Sequence, residues 1–579
     1  MAAIDTSFRI GGEAGQGVES SGAGFVQALA LAGLRVIGVA DYYSRIRGGH
    51  NFFTVRASDE PVFAVRDKVQ ILIALDGETI VRHVDQLSPQ GIIIVDEGVN
   101  FDRGLLEGHD LQLVQAPLLR IAEENGNRVM ANTAAIGVAC AMVDFDLGPV
   151  FSVIAKNFQA KGTRIIEQNT AVAQQAFDWA REHSGVTSPW TLRRQEIPQQ
   201  VAITANQGFA IGCIAAGCKF SAGYPMTPAT SVLEHLAGHA TDWGLVVKHA
   251  EDEIAAMNMV IGAAHAGVRA MVPTSGGGFD LMTEGLSLAG MTETPIVVYL
   301  AQRPGPATGL ATRTAQSDLF LALNAGHGEF PRAVLAPHTP EEAFVCATRA
   351  FNIAEKYQCQ VIVLSDQYLA SSVWARDVDA FDFESVVIDR GKLLTREELE
   401  AMDEYHRYAI MPDGVSPRAL PGMGPKAVYL TTSDEHREDG HISEDAEVTA
   451  AMQSKRMRKL EGIRTEMRPP LRYGPDDAEI TFVGWGSTYG PIREVVDLLN
   501  KGGTSANLVH FVDLWPFPVE EAQQALEGAK RIVDVENNIQ GQFAFLLGAH
   551  AGIQVHERIL RYDGRPFTPD YILRRLEEN

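Results

Sequence analysis

Short, uninterrupted apolar runs recur along this chain, separated by Ala- and Gly-rich stretches with helical spacing. IVVYLAQ (296–302) and VIVLSD (361–366) are apolar at successive positions, without the alternation of a strand that keeps one face in water. Such strands need cover on both sides, which a parallel sheet between two layers of helices provides. The alternation therefore predicts α/β architecture with doubly wound parallel sheets. At 579 residues the chain exceeds what one core can bury, so several domains are expected.

Residues 1–185 read as a first α/β unit. A strand near Phe8–Ile10 runs into a glycine-rich turn and a helix from Val18, and buried strands follow at 69–75 and 91–98. Residues 186–200 are polar and proline-bearing, as a linker is. A second α/β unit spans 201–376, with strands at 245–251, 270–275, 296–302 and 361–366. Residues 377–470 are acidic and proline-rich, then charged and helical, and read as an excursion that covers something or meets a partner. A last α/β unit, 471–579, carries strands at 479–486, 506–514 and 531–537.

The formal net charge of −24 argues against a nucleic-acid or anionic-membrane partner. No run of eighteen apolar residues occurs and MAAIDTSFRI lacks a signal-peptide layout, so a cytoplasmic location is expected. The five cysteines (140, 213, 218, 346 and 359) include no CxxC pair, so no iron–sulfur or zinc site is expected here. The cluster around His436 and His441 reads as a solvated loop, and no metal site is assigned to it.

Five segments could carry chemistry. In GGEAGQG, the glycines Gly11, Gly12, Gly15 and Gly17 with Gln16 sit between strand and helix, where backbone N–H groups can close on an anion. A tight turn without a ligand fits the same residues. The dinucleotide pattern GxGxxG fails, because Ser20 stands at its sixth position. Downstream, Arg45 and Arg47 beside Gly48-Gly49 suit either a phosphate-rich ligand or a solvated loop. In GYPMTP, prolines restrict the segment around Thr227 and present its hydroxyl rigidly after a strand, although a purely structural loop would look alike. In HAEDEIAAMNMVIGAA, Glu251 and Asp252 suit a helix dipole, whereas Glu253 directly precedes the apolar run. Pattern alone leaves Glu253 either a surface charge or a buried carboxylate fit for proton chemistry. TSGGGFD opens a helix through three glycines. QRPGPATGLATRT places Arg303, Thr312 and Arg313 in a loop after a buried strand, a clamp for an anionic substrate or a solvated loop.

In this order, GGEAGQG, IRGGHNFFTVR, GYPMTP, HAEDEIAAMNMVIGAA, TSGGGFD, QRPGPATGLATRT, GWGSTYGP and FVDLWPFP resemble the γ and α parts of 2-oxoacid:ferredoxin oxidoreductases over nearly the whole chain. The loop QRPGPATGLATRT and the segment DEHREDGH are most similar to the 2-oxoglutarate (KorA-like) branch. The resemblance implies a γ domain, a thiamine-enzyme pyrimidine-type domain and a transketolase C-terminal-like domain. It implies CoA-dependent oxidative decarboxylation of 2-oxoglutarate to succinyl-CoA, with electrons passing to ferredoxin. By that resemblance Glu253 bonds N1′ of thiamine diphosphate, beside Tyr224 and Pro225. Thr227 and Arg303 hold the 2-oxoacid, with Thr312 nearby and Arg313 toward a distal carboxylate. Gly11, Gly12, Gly15, Gln16, Gly17 and Arg47 face coenzyme A.

The GDG motif that binds the diphosphate and its metal is missing. The resemblance therefore implies half an active site, completed by an obligate β subunit that carries Mg2+ and a [4Fe–4S] cluster, in a dimer of heterodimers. Pyruvate, branched-chain and indolepyruvate enzymes are the alternatives within the family. A non-catalytic scaffold and a nucleotide-binding electron-transfer protein are those outside it.

Overall fold

The computed structural model describes residues 4–42 and 49–578, so Arg45 and Arg47 lie outside the described residues. It divides into two compact units, each discontinuous in sequence. One comprises residues 1–204, 371–381 and 568–579; the other comprises 205–370 and 382–567.

Among the described residues, the first unit is built on an eight-stranded sheet. Its strands run in the order Leu111–Ala116, Leu87–Asp96, Val69–Ala74, Asp5–Glu13, His50–Ser58, Arg35–Tyr42, Val373–Asp377 and Gln200–Ile203. The first four are mutually parallel, and the apolar runs at 69–75 and 91–98 lie there. From Asp5–Glu13 onward each pairing is antiparallel, so the sheet is mixed. Gly11 and Gly12, expected in a turn, are strand residues opposite Phe52 and Asn51. Close packing explains the glycines: a Cβ on Gly11 would lie 2.5 Å from Thr79 Cγ2, and one on Gly12 would lie 2.4 Å from Gln16 Oε1. The C-terminal helix Pro569–Glu578 belongs to this unit, where Asp570 accepts from Arg66 Nε at 2.9 Å, Arg66 Nη2 at 2.6 Å and the Asp67 N–H at 2.9 Å.

In the second unit a seven-stranded sheet has the order Asp513–Trp515, Arg332–Leu335, Gln360–Asp366, Ile296–Gln302, Arg269–Thr274, Cys218–Gly223 and Val246–His249. All pairings are parallel except that of the edge strand Asp513–Trp515. The four strands Arg269–Thr274, Ile296–Gln302, Arg332–Leu335 and Gln360–Asp366 are buried at every position, as their continuous apolar sequence requires. A five-stranded sheet, parallel but for Leu471–Tyr473, forms from residues 471–560. Helices Ala205–Ala215 and Pro340–Tyr357 approach closely at Gly208, where a Cβ would stand 2.2 Å from the Pro340 carbonyl oxygen.

Residues 382–470 fold onto this unit through two buried ion clusters. Glu355 receives Arg269, Arg390 and Arg418. Glu293 receives Lys455, at 2.5 Å, and Lys459, both from the fully packed face of helix Ala446–Thr465. Charges taken this far from water persist only when paired. His436, expected in a solvated loop, is buried against the Tyr408 ring at 4.2 Å, in a segment pinned by the neighbouring Glu435–Arg456 pair. All five cysteines are buried thiols. Among the described residues no helix is long and apolar enough to cross a membrane, and no group of three or more His, Cys, Asp or Glu side chains is placed to hold a metal ion.

Candidate active site at the strand ends of the second unit

The chain passes from Cys218–Gly223 outward to Val246–His249, then returns across the sheet to Arg269–Thr274 on the other side. That reversal opens a crevice beyond the carboxyl ends of the strands, the place where open α/β sheets bind ligands. Gly223 pairs with His249, and Thr274 with Leu300 on the strand that ends at Gln302, so four chemistry-bearing segments leave the sheet at one edge. They are residues 224–228, 250–253, 275–278 and 303–314.

Glu253 is the first residue of helix Glu253–His265. Asp252 caps that helix, accepting from the Ala255 N–H at 2.7 Å, and Glu251 stays exposed, so the dipole is served without Glu253. Glu253 is only 4% exposed, and its Oε1 has no hydrogen-bond partner. It lies over Gly278, where a Cβ would come within 2.8 Å of Oε1 and 2.3 Å of Thr274 Oγ1. The glycine triplet at 276–278 starts the short helix Gly276–Leu281 and leaves room for a carboxylate on its backbone. A buried, unsatisfied carboxylate oxygen is costly unless a ligand donor completes it.

The GYPMTP segment turns through a cis Thr227–Pro228 bond. Asn206 Nδ2 fixes it by donating to the Pro228 carbonyl at 2.8 Å, while Asn206 Oδ1 accepts from Tyr299 at 2.5 Å. Tyr224 is exposed, its ring 6.3 Å from that of His249, and Pro225 beside it is exposed too. The Thr227 carbonyl accepts from Arg303 Nη1 at 2.8 Å, which joins two of the expected substrate residues. Arg303 Nε is buried and has no partner. Burial lowers the Arg303 pKa, opposed by the carboxyls of Asp318 and Glu253, so all three groups share one electrostatic neighbourhood.

The loop after Arg303 is closed by the Leu310 N–H donating to the Pro304 carbonyl at 3.0 Å. Gly309 makes that closure possible: φ is +53° and a Cβ would stand 1.8 Å from the same oxygen. Thr312 is half-buried. Arg313 is buried, its Cβ 3.1 Å from where a Cβ on Gly564 would be. Asp318 joins the same site. It precedes the short helix Leu319–Asn324, an ordinary capping position, yet its side chain caps nothing. Its Oδ2 is buried and unpartnered, 2.6 Å from where a Cβ on Gly276 would lie. Burial, then Asp280, push its pKa up to about 7 against the pull of Arg303. No residue pattern in AQSDLF announces this; only the fold brings it to the triplet.

In the first unit, helix Val18–Leu31 begins at Gly17, with φ +77°, and Gly15 has φ +100°. Gln16 Oε1 accepts from the Glu13 N–H at 2.8 Å, and the Gln16 carbonyl accepts from Asn132 Nδ2. A cavity of about 510 Å3 lies alongside, lined by Gly15, Gly17, Ser20, Tyr42, Asn51 and Phe52 among others.

Three family descriptions match successive parts of the chain. Residues 7–179 match "Pyruvate ferredoxin/flavodoxin oxidoreductase", 211–455 its thiamine-diphosphate-binding part, and 478–572 the core domain II of pyruvate:ferredoxin oxidoreductase. The chain is 32% identical to the α subunit of 2-oxoacid:ferredoxin oxidoreductase 2 of Aeropyrum pernix, over 97% of this chain and 96% of that one. It is 28% identical to the 2-oxoglutarate oxidoreductase subunit KorA of Mycobacterium tuberculosis, over 97% and 90%. The solved 2-oxoglutarate:ferredoxin oxidoreductase of Magnetococcus marinus, with 2-oxoglutarate, coenzyme A and succinyl-CoA bound, superposes with a TM-score of 0.92 at 31% identity, covering 99% of both chains. With sequence, fold and strand-end geometry in agreement, the chain belongs to the 2-oxoacid:ferredoxin oxidoreductase family, as a subunit of the α type.

Proposed function

We propose that this chain supplies the substrate-orienting half of an active site that oxidatively decarboxylates 2-oxoglutarate to succinyl-CoA and delivers the electrons to ferredoxin. The observation that carries the reading is the buried, unpartnered Oε1 of Glu253 lying on Gly278. A ring N–H is the donor that this oxygen lacks, so the residues fit the aminopyrimidine of thiamine diphosphate. Bound there, the coenzyme supplies the carbon nucleophile and electron sink that decarboxylation of a 2-oxoacid requires.

Glu253 holds the proton at N1′, in a dry position where a charge-assisted hydrogen bond is strong. Tyr224 and Pro225, exposed beside it, would help to hold the pyrimidine. Arg303, fixed by the Thr227 carbonyl, leaves its other edge for the substrate's 1-carboxylate, and the Thr227 hydroxyl orients the keto oxygen. On this reading Thr312 lies near that end of the substrate, and Arg313 takes the distal carboxylate. The 2-oxoglutarate preference is supported by the substrates named for the Magnetococcus marinus and Mycobacterium tuberculosis relatives. In the first unit, the cavity lined by Gly15 and Gly17 is assigned to coenzyme A; the family resemblance adds Gly11, Gly12 and Gln16 of the same motif, and Arg47 as a cation for its phosphates.

The missing GDG motif supports a β partner that binds the diphosphate with Mg2+ and carries a [4Fe–4S] cluster, in a cytoplasmic dimer of heterodimers. Co-expression with that partner should give CoA-dependent reduction of ferredoxin by 2-oxoglutarate, ahead of pyruvate, branched-chain 2-oxoacids and indolepyruvate. Glu253→Gln should lower kcat by roughly 10²-fold or more, and Glu251→Gln should leave it near wild type. Wild-type turnover by the Glu253 variant, or preference for pyruvate, would refute the reading.

A further inference from the structure

We propose that Asp318 is a positioning residue of the 2-oxoacid site, a second buried carboxyl whose charge sets how strongly Arg303 attracts the substrate's carboxylate. The inference rests on Arg303 as the partner of that carboxylate. Three observations converge on it. Asp318 Oδ2 and Arg303 Nε are both buried without partners, so neither is consumed by a fixed ion pair. The Asp318 carboxyl lies against Gly276 just as Glu253 lies against Gly278, which puts two carboxyls on one glycine triplet. Both act on Arg303, and Arg303 in turn acts on Asp318.

The charged groups acting on Asp318 are Asp280, from helix Gly276–Leu281, and Arg303, from the end of strand Ile296–Gln302. Its own helix, LFLALN, has none. The carboxyl titrates near 7, inside the working range of a cell. Below that pH Asp318 is neutral and no longer offsets the Arg303 charge. Above it a second anion faces the guanidinium, and an incoming carboxylate meets a weaker field. Affinity for the substrate anion should therefore fall as pH rises through neutrality, a dependence that a merely structural aspartate would not produce.

The test is the dissociation constant of N-oxalylglycine, an unreactive dicarboxylate shaped like 2-oxoglutarate, measured calorimetrically on the assembled enzyme from pH 6 to 8.5. Wild type should bind roughly three- to tenfold more weakly at pH 8 than at pH 6, with a midpoint near 7. Asp318→Asn should bind at the low-pH affinity throughout. Asp280→Asn removes the like charge beside Asp318 and should move the midpoint to lower pH. A flat wild-type profile, a wild-type slope in Asp318→Asn, or an unmoved midpoint in Asp280→Asn overturns the proposal, and the last holds even if Asp318→Asn misfolds. Arg303→Gln separates the two readings. If it binds N-oxalylglycine as tightly as wild type, the substrate assignment itself falls; if it loses binding while Asp318→Asn keeps the slope, only the Asp318 role falls.

Discussion

Replacing Gly278 by alanine is the most direct mechanical probe of the site. The added Cβ would stand 2.3 Å from Thr274 Oγ1 and 2.8 Å from both Cγ and Oε1 of Glu253, where ordinary contact begins at 3.4 Å. Thr274 is fully buried at the end of its strand and has little room to recede. Glu253 must then yield by the difference between 2.8 and 3.4 Å, about 0.6 Å, at its reacting end. Overpacking of this kind costs about 1–3 kcal/mol. Displacing a catalytic group by ~1 Å costs roughly 10²-fold in rate, so a ten- to hundredfold fall in kcat is expected. Gly277 provides the control: a Cβ there meets only the Ala307 carbonyl, at 3.6 Å. Thermal melting and 2-oxoglutarate-dependent ferredoxin reduction should separate the two variants, with Gly277→Ala melting at or above wild type. If Gly278→Ala melts and turns over like wild type, the glycine triplet is not the seat of the Glu253 carboxylate.

Glu293→Gln should destabilise the second unit by about 3–5 kcal/mol in chemical denaturation, because Lys455 and Lys459 lose the anion that keeps them buried. Asp252→Ala should cost about 1 kcal/mol through loss of the cap on helix Glu253–His265, measurable as a lower melting midpoint with the fold intact by circular dichroism. The first unit should lose stability on acidification. Burial first, and then the Arg9 charge, hold the His83 pKa down to about 3, below its ordinary 6.5. Between those values the unfolded chain binds the extra proton, so the stability present above 6.5 is lost as pH falls toward 3. A melting midpoint for this unit that stays flat from pH 7 to pH 5 would contradict that.

The strands of the second unit were legible because burial on both faces leaves a continuous apolar run: the reading of 296–302 coincides with Ile296–Gln302. Glu253 was legible as a question, since an acidic residue placed directly before an apolar helix has either water or the core to face. The antiparallel strands Arg35–Tyr42 and His50–Ser58 leave no such signal, because RVIGVADY and HNFFTVRAS mix charge, glycine and aromatics without a clear period. Composition points to a turn at Gly11 and Gly12, whereas what they satisfy is close side-chain packing across a strand. Asp318 carried no signal at all; its chemistry comes from Gly276 and Arg303, which the chain reaches forty-two and fifteen residues earlier.

The edge of the first sheet has a consequence for biosynthesis. Gln200–Ile203 pairs with Val373–Asp377, which in turn pairs with Arg35–Tyr42. A nascent chain paused at residue 204 therefore holds a strand with nowhere to dock until some 170 further residues have emerged. The helix Pro569–Glu578, tied to Arg66 and Asp67 through Asp570, emerges some 190 residues after Val373–Asp377. The first unit is thus completed by segments made well after its core strands, and ribosome-bound intermediates should expose that open sheet margin while the intervening residues are synthesised.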